Sequence, residues 1–467
     1  MVTARPASAS ITLVDLGTLG GLASAAIDIS DPGYVTGSSI NSTGSVHAFL
    51  WAAGTGMSDL GALAGGFSAG QAVNNVGQVV GASTVQSGNP DSIHAVLWSG
   101  GSLVDLGVLP GGYRSSALDI NDLGQIVGWS ESPGPYFPLK HAFLWTRDTG
   151  MVDLGTFQDT DTEALSINNV GQVMGAALIS TFPFRGFFWT PESGMIDLGS
   201  LGGTFTIPYD MNNLGQITGT SQTASSCCDA FLWTPGTGMI DIGSFGGLST
   251  GVAVNNLGHV AGQSDTAEGL GHAFFWNGGM LADLSTLGGR NSFSVDLNDA
   301  DQIAGESETA ANTQEGFVWM EETGILALGT LGGPLTSVNK MNNAGQVVGF
   351  SDLPGPGLPD GPSDAVLWDV GPPPPPLTPE QRIQKLSDQV DALVVAGKIN
   401  QGQGRALKHE LTAALLAIQR SQPSVAIDVL RGFLQDLGAL EHAGTLTSSD
   451  TQPIADTTNR LIRQLGG

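Results

Sequence analysis

His47-Ala48-Phe49-Leu50-Trp51 closes a short apolar run, and the run returns as His94-Ala95-Val96-Leu97-Trp98 and His141-Ala142-Phe143-Leu144-Trp145. Further copies end at Trp189, Trp233, Trp276, Trp319 and Trp368, so tryptophan marks eight registers spaced by about 45 residues, a period typical of stacked repeat units. Most copies are followed by a Gly-rich turn and a Met-x-Asp-Leu/Ile-Gly strand, as at Met57–Gly61, Met151–Gly155, Met195–Gly199 and Met239–Gly243. A Leu-Gly-Gly stretch comes next, then an apolar strand ending in Asn. A turn such as Asn74-Asn75-Val76-Gly77-Gln78 leads into Gly-Gln-Val-Val-Gly. Each unit thus holds four strand-length pieces: a (ending in Asn), b (Gly-Gln-Val-Val-Gly), c (ending in Trp) and d (Asp-Leu-Gly). The Asn-x-x-Gly and Gly-Thr-Gly turns supply the positive φ that tight hairpins require.

Four antiparallel strands per unit describe a propeller blade, whose two faces are buried only by neighbouring blades. The a–b and c–d turns are short, the d–a link is uniform, and the b–c loop varies most. The repeats begin with a d strand, Ile11–Leu16, and end with a c strand, Ala365–Trp368. The first strand is therefore expected to complete the last blade and remove the open edge. The predicted fold is mainly β: an eight-bladed β-propeller over residues 11–369, closed by the N-terminal strand.

The units resemble HAF repeats, named for the triplet at His47–Phe49, His141–Phe143 and His272–Phe274. The resemblance spans all eight units and implies an extracellular bacterial or archaeal protein. It brings no catalytic residues. Residues 370–377 form a proline-rich linker, a stiff polyproline II spacer. Beyond it, Thr378-Pro379-Glu380 reads as a helix start. Apolar residues then recur at helical spacing (Ile383, Leu386, Val390, Leu393, Val394), with breaks near Gly397, Pro423 and Gly444. A small up-and-down helical bundle is expected over 378–467, its third helix carrying Ile427, Leu430, Phe433, Leu434, Leu437 and Leu440 on one stripe. Through Phe433-Leu434-Gln435 and its helix spacing, this tail resembles the FIMAH domain of secreted bacterial proteins.

From Leu377 onward nine basic and nine acidic residues cancel, so the repeats and linker carry the whole net charge of −27. That sign opposes binding to nucleic acid or anionic lipid and suits cations or basic partners. No apolar run is long enough to span a membrane. Residues 1–10 look like a disordered remnant, the small-residue tail of a removed export signal behind an added Met1. Export, a secreted location and a monomer are the expectation.

What repeats builds the scaffold, so function is sought where the copies disagree. His47, His94, His141 and His272 share one slot with Arg185, Asp229, Glu315 and Asp364, too far apart from blade to blade for one metal ion. They are expected to be structural, as is the recurring Asp of Asp-Leu-Gly, a turn or inter-blade anchor. Three departures stand out. Trp129 follows strand b where Ala, Thr, Gln or Glu recurs. With Tyr136, Phe137, Phe182, Phe184, Tyr113 and Arg114 it predicts an aromatic and basic ligand-binding patch on the b–c and d–a loop face of blades three and four. Asp159, Asp161 and Glu163 replace Leu-Gly-Gly in one link, a candidate Ca²⁺ site without a complete ligand loop, weighed against a solvated acidic loop. Cys227-Cys228 offers either two free thiols or a strained vicinal disulfide. No nucleophile elbow, phosphate loop or zinc motif occurs. The favoured function is a non-catalytic, secreted binding propeller for a glycan, an extracellular polymer or a surface protein. The alternatives are an extracellular polysaccharide-degrading enzyme using carboxylates or His259 at the ring mouth, and a structural surface-layer or matrix component.

Overall fold

The computed structural model describes residues 11–466 apart from positions 65, 87–88, 90–91, 134–137, 158–159, 179–183, 226, 280 and 355–361. The expected N-terminal remnant lies outside the described residues. Among the described residues thirty-two strands, numbered β1 to β32 in chain order, make eight four-stranded antiparallel sheets. The first blade is β2 (Gly20–Ile29), β3 (Val35–Asn41), β4 (Val46–Ala52) and β5 (Gly56–Asp59), in spatial order a-b-c-d. The last is β30 (Thr336–Met341), β31 (Gln346–Asp352), β32 (Ser363–Asp369) and, as its outer strand, β1 (Thr12–Gly17). The ring is closed as the phase of the repeat requires. Thr12 pairs with Asp369, Leu13 with Trp368, Val14 with Leu367 and Asp15 with Val366, and a bulge then brings Gly17 to Ala365.

The apolar run before each Trp is continuous because both faces of a blade are covered. Phe49, Phe143, Phe187, Phe231, Phe274 and Phe317 are all fully buried, as are Ala48, Ala95, Ala142, Ala230, Ala273 and Ala365. Strand a lines the axis, neighbouring a strands touching one another around the ring. Every a strand carries a bulge at the same place, for example between Ala26 and Asp28 or Gly70 and Ala72. Opposite it lies the second Gly of strand b. A Cβ on Gly81 would sit 2.0 Å from the Ala69 carbonyl oxygen, and one on Gly37 2.0 Å from that of Ala25. A bulge redirects the residue after it, and the missing Cβ is what lets the strands close upon it. Gly81→Ala is therefore expected to destabilise the propeller by about 3 kcal/mol or more, since backbone has to move. Urea denaturation followed by tryptophan fluorescence measures it.

Blades are fastened by side chains from the repeat. In most blades a buried Ser or Thr at the head of strand a accepts the N–H of the preceding blade's c strand (Ala48 N to Ser68 Oγ, 2.9 Å) and donates to the carbonyl at the end of its d segment (Ser68 Oγ to Gly61 O, 2.8 Å). Ala365 N to Ser24 Oγ, 2.7 Å, repeats this across the closure. At the a–b turns a hoop runs through all eight blades. Asn75 N donates to Asp122 Oδ1, Asp122 N to Asn169, Asn169 N to Asn213, Asn213 N to Asn256, Asn256 N to Asp299, Asp299 N to Asn343, Asn343 N to Asp31, and Asp31 N back to Asn75, each bond 2.8–3.0 Å. Inside it the amides of Asn74, Asn121, Asn168, Asn212, Asn255, Asn298 and Asn342 each donate to the next blade's main chain. Ser30 is too short to make the eighth bond of this kind.

The chain divides into two compact units, Met1–Pro373 and Pro374–Gly467. The second holds α1 (Pro379–Val395), α2 (Gln401–Gln419), α3 (Pro423–His442) and α4 (Ser448–Gln464). Thr378 and Asn400 cap α1 and α2 in reciprocal capping boxes with Gln381 and Gln403. α1 packs on α2 and α4, and α3 on the same pair, around Leu386, Val390, Leu411, Leu430, Phe433, Leu437 and Leu461. On α3 the predicted stripe is realised, with Leu434 and Leu440 at its partly buried edge. No helix among the described residues is long and apolar enough to cross a membrane.

Candidate functional site

The loudest residues of the repeat serve its structure. His47 Nδ1 lies 2.8 Å from Asp59 Oδ1, His94 2.9 Å from Asp105, His141 2.9 Å from Asp153 and His272 2.8 Å from Asp283; Arg185 and Asp197 pair at 3.4 Å. Each Asp of Asp-Leu-Gly also accepts the N–H of its own Gly, as Asp59 does from Gly61 at 2.7 Å. These Asp residues thus clamp strand d to strand c within one blade. They are turn anchors, and the inter-blade anchoring falls instead to the Ser/Thr staples and to a set of channel aspartates.

Those aspartates follow the bulge in alternate blades. Asp28, Asp119, Asp210 and Asp296 each accept the backbone N–H of the next blade's a strand, at Val73, Ile167, Val254 and Met341, within 2.7–2.8 Å. The intervening blades hold Ala72, Ser166, Ala253 and Lys340 at that position. Burial pushes Asp28 up to about 6 and raises Asp119 and Asp296, while Lys340 draws Asp28 and Asp296 back down. The Lys340 ammonium, 3.5 Å from Asp296, is itself held protonated by all four carboxylates. With the Asn turns, Asp28, Asp210, Asp296 and Lys340 line a well of about 290 Å³ at the turn-face mouth of the channel. Its polar atoms are largely spent on the ring.

His259 takes the slot of the repeated Gln, on that same turn side. Its Nδ1 lies 2.8 Å from Asp301 Oδ1, and Asp301 stands where other blades have Gly, at φ +56°. Elsewhere the Gln amide lies against that Gly, as Gln216 does against Gly258. The two departures therefore compensate: a His–Asp pair replaces a Gln–Gly contact across the sixth and seventh blades, and Asn255 also donates to Asp301.

On the loop face the structure redistributes the predicted patch. Tyr136, Phe137 and Phe182 lie outside the described residues. Trp129 is half-buried with Lys140 Nζ 4.3 Å above its ring centroid, so one face is already occupied. Nor is an aromatic unique to that slot, because Phe350 fills it in the eighth blade. Arg114 is spent on Glu131 through Nε and Nη2, at 2.8 and 2.6 Å, and Phe184 is half-buried. Of the candidate Ca²⁺ ligands, Asp159 lies outside the described residues. Asp161 accepts the Lys140 N–H at 2.9 Å, and Glu163 pairs with Lys140 Nζ at 2.5 Å. Among the described residues no group of three or more His, Cys, Asp or Glu side chains is placed to share a metal ion. Cys227 and Cys228 are free cysteines whose sulfurs lie side by side.

Tyr113 remains open to solvent, at 72 % exposure, and it has company that the sequence reading did not find. One or two residues before the Ser/Thr staple, at the loop-face end of the axial strands, stand Leu335, Leu22, Phe67, Tyr113 and Leu248, all exposed large apolar residues. The first four belong to blades eight, one, two and three, which are consecutive around the ring, while Leu248 stands apart in blade six. The equivalent positions of blades four and seven hold Thr160-Asp161 and Arg290-Asn291. The signal was present in the sequence: aligned on the staple, the two preceding residues vary more than any others in the link.

No family's sequence model matches this chain, and no curated protein does. Among solved structures, puromycin hydrolase aligns at 11 % identity and TM-score 0.46, over 73 % of this chain and 60 % of its own. The acylaminoacyl peptidase of Pyrococcus horikoshii aligns at 9 % and 0.39, over 72 % and 59 %. TolB from Acinetobacter baumannii aligns at 12 % and 0.34, over 63 % and 80 %. This chain spans about 60 % of the puromycin hydrolase chain. At such identities and scores no activity is carried across to it.

Proposed function

We propose that the protein is a binding propeller without chemistry of its own, and that it takes an apolar segment of a partner protein on the loop-face arc. One observation carries this reading: Leu335, Leu22, Phe67 and Tyr113 form an exposed arc over four consecutive blades, on strands held by the Ser/Thr staples and the turn hoop. Exposed apolar side chains on a rigid support are characteristic of protein recognition. The aliphatic Leu335 and Leu22 beside the rings of Phe67 and Tyr113 favour an apolar protein segment over a glycan, whose sugar faces stack on aromatic rings alone. A propeller side carrying −27 favours basic residues flanking the bound segment. The setting we propose is outside the cell, in line with the resemblance of the repeats to the HAF type and of the tail to the FIMAH domain.

A displayed library of random peptides, selected on the full chain and counter-selected on Leu22→Asp/Phe67→Asp, tests this. Apolar peptides with basic flanks are expected to be enriched and to bind the double variant at least about ten-fold more weakly, a difference of roughly 1.4 kcal/mol. Equal binding to both proteins overturns the proposal. Glycan-array binding lost in Trp129→Ala, with no peptide enriched, replaces it with the glycan reading.

A further inference from the structure

The outer clamp of each blade sets a c-strand residue against the Asp of strand d. Where the c-strand residue is His or Arg, opposite charges meet. In the last blade the two slots hold Asp364 on β32 and Asp15 on β1: Asp15 pairs with Val366 just as Asp105 pairs with Val96 beside His94, so carboxyl meets carboxyl. Blade five also sets Asp229 against Asp241, but there the tight turn 235–237 joins the two strands covalently. Between β32 and β1 no turn exists, because they come from opposite ends of the repeat array. A like-charged clamp therefore falls at the one sheet joint in the ring that the chain does not tie directly.

We propose that Asp15 and Asp364 form a proton-operated clasp, in which a shared proton holds the first strand on the last blade and its loss loosens that strand.

The surroundings offer no counter-charge. β31 places Ser351 opposite Asp364 with Asp352 beside it, β2 contributes the Ser24 hydroxyl, and β5 of the next blade, which touches β1, carries Asp59, already bonded to His47. Among the ion pairs of the described residues none joins Asp15 or Asp364 to a cation. Asp364 is 9 % exposed, and burial, with the neighbouring Asp15 charge added, raises its carboxyl from 3.8 to about 6. A folded-state value above the unfolded one means that the closed joint binds the proton. Closure is then strongest in acid, weakens as pH rises from about 4 to about 6, and stays at its weakest above that.

Hydrogen exchange on the full chain at pH 5 and pH 7.5, corrected for intrinsic rates, reads the joint directly. The amides of Thr12–Gly17 are expected to be about ten-fold better protected, relative to Ser102–Gly107 in the second blade, at pH 5 than at pH 7.5. Asp364→Asn should remove that pH dependence. Asp364→His, which installs the pair used by four other blades, should protect β1 at pH 7.5. The proposal fails if β1 protection does not change with pH in the native chain, or if its change survives in Asp364→Asn. Should Asp364→Asn not fold, the native profile and the histidine variant still decide.

Discussion

Removal of residues 1–17 is expected to convert a cooperatively folded ring into an open array that aggregates or melts at least about 10 °C lower. The deletion takes β1 from the outer edge of the last blade and with it every hydrogen bond between β1 and β32. It uncovers strand c there, where Ala365, Val366 and Trp368 are wholly buried and Leu367 nearly so, and it strips away Leu16 with the partly buried Leu13 and Val14. Burial of such side chains stabilises by roughly 1.5–3 kcal/mol each when complete. A loss on the order of 5 kcal/mol is therefore reasonable, a large share of an ordinary domain's stability. The exposed c strand also becomes an unpaired edge, the template on which sheets aggregate. Calorimetry and light scattering of the truncated chain measure both effects. A synthetic peptide of residues 11–17 added in trans should restore part of the loss, because the binding groove on β32 is otherwise intact. A truncated chain that melts like the full one would mean that the staples and the hoop alone close the ring.

That closure was legible in the sequence for a simple reason. A repeat that starts on its fourth strand and ends on its third has only one economical partner for each. The helices of the tail were equally legible, since capping residues and a four-residue spacing are local. The candidate site was not. Tyr113 and Arg114 are adjacent in sequence, yet they diverge: Arg114 turns to Glu131, while Tyr113 stands with residues from three other blades. Trp129 is as unusual as its residue type suggests, but Lys140, from the next strand of the same blade, covers its ring. Which loop residues stay exposed depends on neighbours across blades, and no periodicity encodes that. The alternation of Asp28, Asp119, Asp210 and Asp296 with small residues was visible, but its meaning needed the bulge, which aims each carboxylate at the next blade.

Lys340→Ala is the sharpest test of that alternation. Alanine already occupies the same position in blades two and six, as Ala72 and Ala253, so the backbone accepts it. What changes is charge. Lys340 is the cation that offsets Asp28, Asp119, Asp210 and Asp296, each tied by hydrogen bonds and unable to turn away. Breaking a buried ion pair costs about 3–5 kcal/mol. Because the Lys340 side chain is 43 % accessible, screening reduces this, and a loss of about 2 kcal/mol at pH 7 is expected. Its pH dependence has a definite sign. The carboxyl of Asp28, at about 6 in the folded chain against an ordinary 3.8, is more readily protonated in the folded state than in the unfolded one. Stability from that group is therefore greatest below about 4 and declines as pH rises to about 6. Without the ammonium, Asp28 and Asp296 lose the influence that lowers them, so the declining range extends upward. The deficit of Lys340→Ala against the native chain should be largest near pH 7.5 and shrink toward pH 4.5. Asp296→Asn in the same chain should recover part of it by removing one of the stranded charges. Urea melts across that range follow the deficit directly. A deficit that is the same at every pH would assign Lys340 a packing role and leave the four aspartates balanced by their hydrogen bonds alone.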